Sequence, residues 1–240
     1  MPDPTELFIV RHGEAHCNRD QVVGGNRGCT GLTYTGRDQV ACLATQLRGH
    51  HAERPFDVLY TSPLRRTRET ADIIATQLRL AIHDEPDLRE QDYGTADGKP
   101  WVDVVEAFGG VPALEPHRPI AAGAETWTRY LRRATKALNR VLTRHAGQRI
   151  LIIGHGETID ASFRLLLNLA ATSRGRAGFA ARHASLTHWA QHPVALTRPH
   201  AGWRWTLCVH NAVTVQFISL AHESGGRPRE DRGSERGPYP

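Results

Sequence analysis

Two four-residue apolar runs, Leu7-Phe8-Ile9-Val10 and Ile150-Leu151-Ile152-Ile153, lead into the same three residues. The first passes through Arg11 into His12-Gly13-Glu14, the second through Gly154 into His155-Gly156-Glu157. A run of strand-favouring residues that stops at a glycine turn reads as a buried strand delivering its C-terminal end to a loop. In open α/β sheets ligands bind at that edge. The pair therefore predicts two histidines at one rim of one sheet, with an arginine beside the first.

The remaining pattern supplies the other strands and the helices that such a sheet needs. Residues 5–10, 57–61 and 80–83 read as strands, with a further strand at the second His-Gly run. Val40, Leu43, Ala44 and Leu47 give residues 35–48 a helical face. Ser62 is expected to N-cap a helix with Pro63 at its first position, and Leu64, Thr67, Ala71, Ile74 and Leu78 make its inner side. Residues 101–108 form a short helical candidate. Residues 125–145 are strongly amphipathic, with Trp127, Leu131, Ala134, Leu138 and Val141 on one stripe and Gly147 as the stop. A helix over 157–169 and late strands at 185–190 and 209–220 complete the reading. Strands alternating with helices imply a three-layer αβα sandwich around a mostly parallel sheet.

One domain over residues 1–222 is expected. The glycine-rich loop at 11–33 and the Gly- and Pro-rich stretch at 95–124 are its long connections, the latter an excursion over the active site, and loops of that length are often functional. Residues 223–240 are charged and rich in Gly and Pro, and read as a disordered tail.

The net charge of +5 and a pI near 9.3 raise the question of nucleic acid. Only two of the 30 basic residues are lysines, Lys99 and Lys136. The arginines are scattered, whereas a nucleic-acid footprint is clustered, so no nucleic-acid partner is expected. No apolar stretch approaches the ~20 residues of a membrane span, and the N-terminus has no signal-type block. Cys17, Cys29, Cys42 and Cys208 form no regular framework and read as free thiols of a cytoplasmic protein. His183, His188, His192, His200 and His210 suggest a metal cluster. Yet His183 and His188 would face opposite ways in one continuous strand, and no metal-binding string of His and Cys appears, so neither metal nor cofactor is expected.

Arg11 beside His12 disfavours the imidazolium and keeps the ring neutral and nucleophilic. Its guanidinium also matches phosphate oxygens as a fork. Arg66 falls in the first turn of its helix, where backbone amides and the helix dipole favour anions. Alone, each residue would read as an ordinary turn or surface group. Together at one sheet rim they form a phosphate pocket.

At this point the chain resembles the histidine phosphatase superfamily, also called phosphoglycerate mutase-like. The resemblance rests on Arg11-His12-Gly13-Glu14 with Asn18, on Ser-Pro-Leu-x-Arg-x-x-x-Thr-Ala over 62–71, on Leu88-Arg89-Glu90 with Gly94, and on Gly154-His155-Gly156. It spans about residues 5–220 and implies the phosphoglycerate mutase-like fold. It implies that His12 is the nucleophile that becomes phosphohistidine and that Glu90 is the general acid. Arg11, Arg66 and His155 would hold the phosphoryl oxygens, and Asn18, Gly24, Gly25 and Gly156 would make further phosphate contacts. Ala15 and Thr67 depart from residues common in the family. His183-Ala184-Ser185 and His210-Asn211-Ala212 match its C-terminal segments only loosely.

The implied activity is that of a metal-independent phosphatase acting on a small phosphorylated metabolite. Phosphoglycerate mutase-type transfer and a non-catalytic phosphate-binding module are the alternatives. The short spacing from Glu90 to His155, and Gly123-Ala124-Glu125-Thr126-Trp127 as a helix start, resemble the phosphatase branch. A homodimer stays open.

Overall fold

The computed structural model describes residues 3–170, 178–195 and 202–213. In chain order the elements are β1 (Glu6–Arg11), α1 (His16–Arg19), α2 (Tyr34–Glu53), β2 (Val58–Thr61), α3 (Arg65–Leu78), β3 (Ile82–Asp84), α4 (Trp101–Phe108), α5 (Trp127–Arg144), β4 (Arg149–Gly154), α6 (Gly156–Leu166), β5 (Leu186–Pro193) and β6 (Trp203–Ala212). Three single-turn 3₁₀ segments lie between β3 and α5. The six strands form one sheet in the order β3-β2-β4-β1-β5-β6. The first four are parallel, while β5 returns antiparallel to β1 and β6 antiparallel to β5.

The central strands are apolar without interruption because both faces of the sheet are covered. Leu7, Ile9, Val58, Tyr60, Ile150 and Ile152 point to one side, into a core with Trp127, Leu131, Leu138 and Val141 of α5 and Ile159 and Phe163 of α6. Phe8, Val10, Leu59, Leu151 and Ile153 point to the other, against Val40, Leu43 and Leu47 of α2 and Ala71, Ile74 and Leu78 of α3. Each fully buried aliphatic side chain contributes ~1.5–3 kcal/mol, so these two layers, rather than helix propensity, hold the elements in place. The sandwich and the stripe on α5 follow the sequence expectation.

The register matters most for the site. Arg11 of β1 sits opposite Gly154 of β4, and the His12 amide donates to the Gly154 carbonyl at 3.0 Å. The two histidines that follow these residues therefore leave the sheet side by side.

Several boundaries differ from the sequence reading. Helix α3 begins at Arg65 with Leu64 as its N-cap, not at Pro63 behind a capping Ser62. The Ser62 hydroxyl lies 2.8 Å from His155 Nε2 and reaches the Leu64 amide only at 3.5 Å. Strand β3 sits two residues later than expected at its start, and α6 ends three residues sooner at Leu166. Helix α2 continues to Glu53, through polar residues that carry no apolar period. Strand β6 is Trp203–Ala212 rather than 209–220. As an outer strand with a half-exposed face, it lacks the apolar run that marks β1 and β4. Most of the expected 209–220 strand, and the expected tail at 223–240, lie outside the described residues.

The long loop after β1 contains α1 and is tied to the stretch preceding α4. Val23 donates to Lys99 O at 2.9 Å, Gly98 to Val23 O at 3.0 Å and Trp101 to Gln21 O at 2.9 Å. Val23, Tyr93, Ala96 and Val104 form a small core of their own between these segments. Among the described residues, no helix is long and apolar enough to cross a membrane.

Candidate active site

The loop after β1 turns sharply at Gly13. A Cβ there would lie 2.4 Å from the Gly36 carbonyl oxygen and 2.7 Å from Val40 Cγ2, so only glycine permits this approach of α2. The turn leaves His12 almost wholly buried at the end of β1. Its Nδ1 donates to the Gly13 carbonyl at 2.7 Å. That bond fixes the tautomer and leaves the Nε2 lone pair facing the rim.

Arg66, in the first turn of α3 and 3% exposed, joins the site together. Its Nε donates to His12 Nε2 at 3.0 Å, its Nη1 to the Gly24 carbonyl at 2.7 Å and its Nη2 to His155 Nδ1 at 3.1 Å. His155 is fully buried and has its other ring nitrogen, Nε2, on Ser62 Oγ. The His12 and His155 rings pack edge to face with centroids 5.4 Å apart. Burial, and then the neighbouring Arg66 guanidinium, hold both imidazoles well below the ordinary histidine pKa. Both rings are therefore neutral at physiological pH.

Glu90 completes this cluster from the loop after β3. Its Oε2 lies 3.6 Å from Arg66 Nη2 and 3.6 Å from His155 Nδ1, and its Oε1 accepts the Gln91 amide at 3.1 Å. Burial, and then the Glu157 carboxylate, push its pKa up to about 8 against the pull of Arg66. At neutral pH this carboxyl keeps its proton. Arg133 of α5 fixes the loop by donating to the carbonyls of Asp87, Arg89 and Glu90, and by pairing with Glu125 at 2.7 Å.

Arg11 lies across the rim. One of its terminal nitrogens donates to the Ala181 carbonyl, and its buried Nε has no hydrogen-bond partner among the described residues. It lines cavities on both sides, one with Gly156, Glu157 and Trp127, the other with Asn18, Trp101 and His183. Asn18 Oδ1 accepts the Ala15 amide at 3.2 Å, which pins the start of α1. Gly24 meets the site through its carbonyl. The Gly25 amide instead donates to Asp97 Oδ1 at 2.9 Å, so its hydrogen bond serves the loop. The structure thus gathers Arg11, His12, Arg66, Glu90 and His155 around one point, with Asn18, Gly24 and Gly156 at its margin.

Three further residues belong to this region. Ser62 orients His155. Glu157, second residue of α6, lines a cavity with Arg11 and Gly156, and its charge helps to raise the Glu90 pKa. It repeats the position of Glu14, but Glu14 bonds the Thr33 hydroxyl at 2.7 Å and braces the loop. His183 lies outside β5, in the turn before it, with its ring 5.8 Å from that of His12 and its buried Nε2 without a hydrogen-bond partner among the described residues. Burial, and then Arg11, lower its pKa to about 4. The other late histidines are dispersed: His188 pairs with Glu6 at 3.0 Å, His210 contacts Thr187 at 3.1 Å, and His200 lies outside the described residues.

Three neutral or protonated acid–base groups and two guanidiniums at one rim can bind a phosphoryl group, attack it and protonate what leaves. Comparison with known proteins agrees with that chemistry. The histidine phosphatase superfamily (branch 1) matches residues 7–202. Phosphoglycerate mutase-like protein 4 of Arabidopsis thaliana is 31% identical over 166 residues, 67% of this chain and 70% of that protein. A metal-independent phosphoserine phosphatase of the same plant is 29% identical over 164 residues, 66% and 67% of the two chains. Among solved structures, a native mycobacterial glucosyl-3-phosphoglycerate phosphatase superposes with a TM-score of 0.70 at 22% identity, covering 87% of this chain and 99% of that one. At that identity the likeness speaks for the fold.

Proposed function

This chain belongs to the histidine phosphatase superfamily, branch 1, and we propose that it hydrolyses a small phosphomonoester through a phosphohistidine on His12, without a metal ion. Membership makes it a phosphoric monoester hydrolase; the intermediate and the substrate class are our reading. The observation that carries this reading is the Arg66 guanidinium bridging both imidazoles, at 3.0 and 3.1 Å.

In the first step His12 Nε2 attacks phosphorus and the phosphorus–oxygen bond to the leaving group breaks. Glu90 gives its proton to the departing oxygen and becomes a carboxylate. Arg11, Arg66 and His155 stabilise the three equatorial oxygens, the main requirement of phosphoryl transfer. In the second step Glu90 takes a proton from water, the oxygen of that water attacks phosphorus, and the bond to His12 breaks. Phosphate leaves and Glu90 is again protonated, so the cycle balances. A carboxyl whose pKa lies near 8 suits both halves of this exchange.

One relative in sequence is named as a phosphoserine phosphatase, which supports a small phosphorylated metabolite as the substrate class here. Among the described residues Cys17, Cys29, Cys42 and Cys208 form no disulfide, which supports a reducing, cytoplasmic compartment.

The test compares two leaving groups. Glu90→Gln should slow an alkyl phosphate by about 10²–10⁴-fold and p-nitrophenyl phosphate far less, because an activated phenolate leaves without a proton. Both rates should survive excess EDTA. Wild-type rates for both substrates in Glu90→Gln, or activity lost to EDTA and restored by a divalent cation, would overturn the mechanism.

A further inference from the structure

One carboxylate outside the catalytic cluster holds three backbone amides at once. Asp97 follows the single turn Gly94–Ala96, in the stretch between β3 and α4. Its Oδ1 accepts the Gly25 amide at 2.9 Å and the Gly28 amide at 3.0 Å, and its Oδ2 accepts the Arg27 amide at 2.8 Å. The side chain is 10% exposed. A Cβ at Gly25 would lie 2.7 Å from both carboxylate oxygens, so a side chain there would push the carboxylate away. Amides that converge in a turn form a concavity for an anion, and here the chain fills it with a carboxylate of its own.

The loop so held runs into the site. Gly24, the residue before Gly25, offers its carbonyl to Arg66 Nη1 at 2.7 Å. Cys29, just past the held stretch, accepts the Arg66 amide on Sγ at 3.4 Å and donates its own amide to the Gly25 carbonyl at 3.1 Å. The guanidinium is a rigid plane, so fixing Nη1 also directs the Nε and Nη2 donors, which meet His12 and His155. Both histidines follow strands and are placed by the sheet. Gly24 lies on a loop and needs an anchor of another kind.

We propose that Asp97 is a positioning residue for phosphoryl transfer: by gathering the amides of Gly25, Arg27 and Gly28 it fixes the Gly24 carbonyl, and through it the Arg66 guanidinium on both histidines. The backbone bonds of Gln21 and Val23 to the stretch 98–101 hold the loop before Gly24. Asp97 holds it after Gly24. The Arg27 guanidinium does not replace that grip, because its side chain is exposed, its Nε lies 3.9 Å from Asp97 and its Nη2 donates to the Gly94 carbonyl at 3.1 Å.

This inference rests on the phosphoryl pocket proposed above, and two measurements test them apart. Asp97→Asn keeps an acceptor for Gly25 and Gly28 but sets a second donor against the Arg27 amide. Asp97→Ala keeps no acceptor. The first measurement is ¹⁵N NMR of the histidine rings, with His12 assigned by its loss in His12→Ala. The His12 Nε2 resonance should move downfield in Asp97→Ala as the bond from Arg66 loosens, with Asp97→Asn between that variant and the wild type. An unmoved resonance in both variants overturns the proposal, whatever the protein hydrolyses. The second measurement is the steady-state rate with p-nitrophenyl phosphate, at a temperature where each variant is folded by circular dichroism. The kcat should fall on the order of 10²-fold in Asp97→Ala and less in Asp97→Asn. In an Arg66→Lys background Asp97→Asn should cost little more, because the fork that it positions is already gone. Losses that multiply in full would show Asp97 acting by another route and overturn the proposal. Should Asp97→Ala not fold, Asp97→Asn decides: a moved resonance with a lowered kcat supports the proposal, and either one unchanged overturns it. A wild type inactive on every phosphomonoester would instead sink the phosphatase reading, while the ring resonance still reports on Asp97.

Discussion

Replacing Glu90 by glutamine should stabilise the fold, and the gain should grow with pH. The side chain is 8% exposed, and burial with Glu157 nearby raises its pKa from an ordinary 4.5 to about 8. Between those values the folded protein holds a proton that the unfolded chain has released. Stability therefore falls as pH rises through this window and levels off above about 8. A shift of that size corresponds to roughly 3–5 kcal/mol, a large share of the ~5–15 kcal/mol that holds a typical domain. Glutamine is nearly isosteric with the protonated acid and does not titrate. Its advantage should be small near pH 5 and approach the full amount at pH 8.5. The assay is urea denaturation of both proteins at half-unit steps of pH, with the difference in unfolding free energy plotted against pH. A difference that is flat from pH 5 to 8.5, or a variant that is less stable at the upper end, would refute the reasoning. The same substitution should impair turnover of alkyl phosphates, so stability and activity would move in opposite directions, as they do where a site is kept for function.

Arg66→Lys keeps the charge but loses the fork that meets His12, Gly24 and His155 at once, so kcat should fall on the order of 10²–10³-fold in steady-state assays, with the charge alone failing to rescue it. Gly13→Ala would drive a methyl group to 2.4 Å from the Gly36 carbonyl oxygen, where backbone must move; a loss of about 1–3 kcal/mol and a lower Tm in calorimetry are expected. Vanadate, which can mimic a five-coordinate phosphorus, should inhibit competitively and more tightly than phosphate, and equal inhibition by the two would contradict a site shaped for the transition state.

What could be read from the sequence follows from how local the governing forces are. The strands β1 and β4 were legible because both faces are buried and the apolar run is unbroken. The stripe on α5 was legible because Trp127, Leu131, Ala134, Leu138 and Val141 repeat at helical spacing. His12, Arg66 and His155 sit at strand or helix ends whose signals are also local. Ser62 misled because a serine before a proline is a strong capping pattern, whereas its hydroxyl is taken up by His155, a residue 93 positions away. His183 was legible only as one of five late histidines and in a loose match to the family's C-terminal segments; its place in the site was not legible, for a related reason. Its place beside His12 depends on β5 returning antiparallel to β1, with the Ala184 amide on the His12 carbonyl at 3.1 Å, and no periodicity in the chain announces that direction. Glu157 was half legible, as the last letter of a repeated string. Its effect on the Glu90 pKa requires the fold.

The account stands most directly on His12 as the group that carries phosphate. Turnover of a ³²P-labelled phosphomonoester, quenched early, should leave label on the wild-type protein in a bond that is labile to acid and stable to base, and His12→Ala should fold but carry none. Label that survives acid, or label undiminished in His12→Ala, would contradict it.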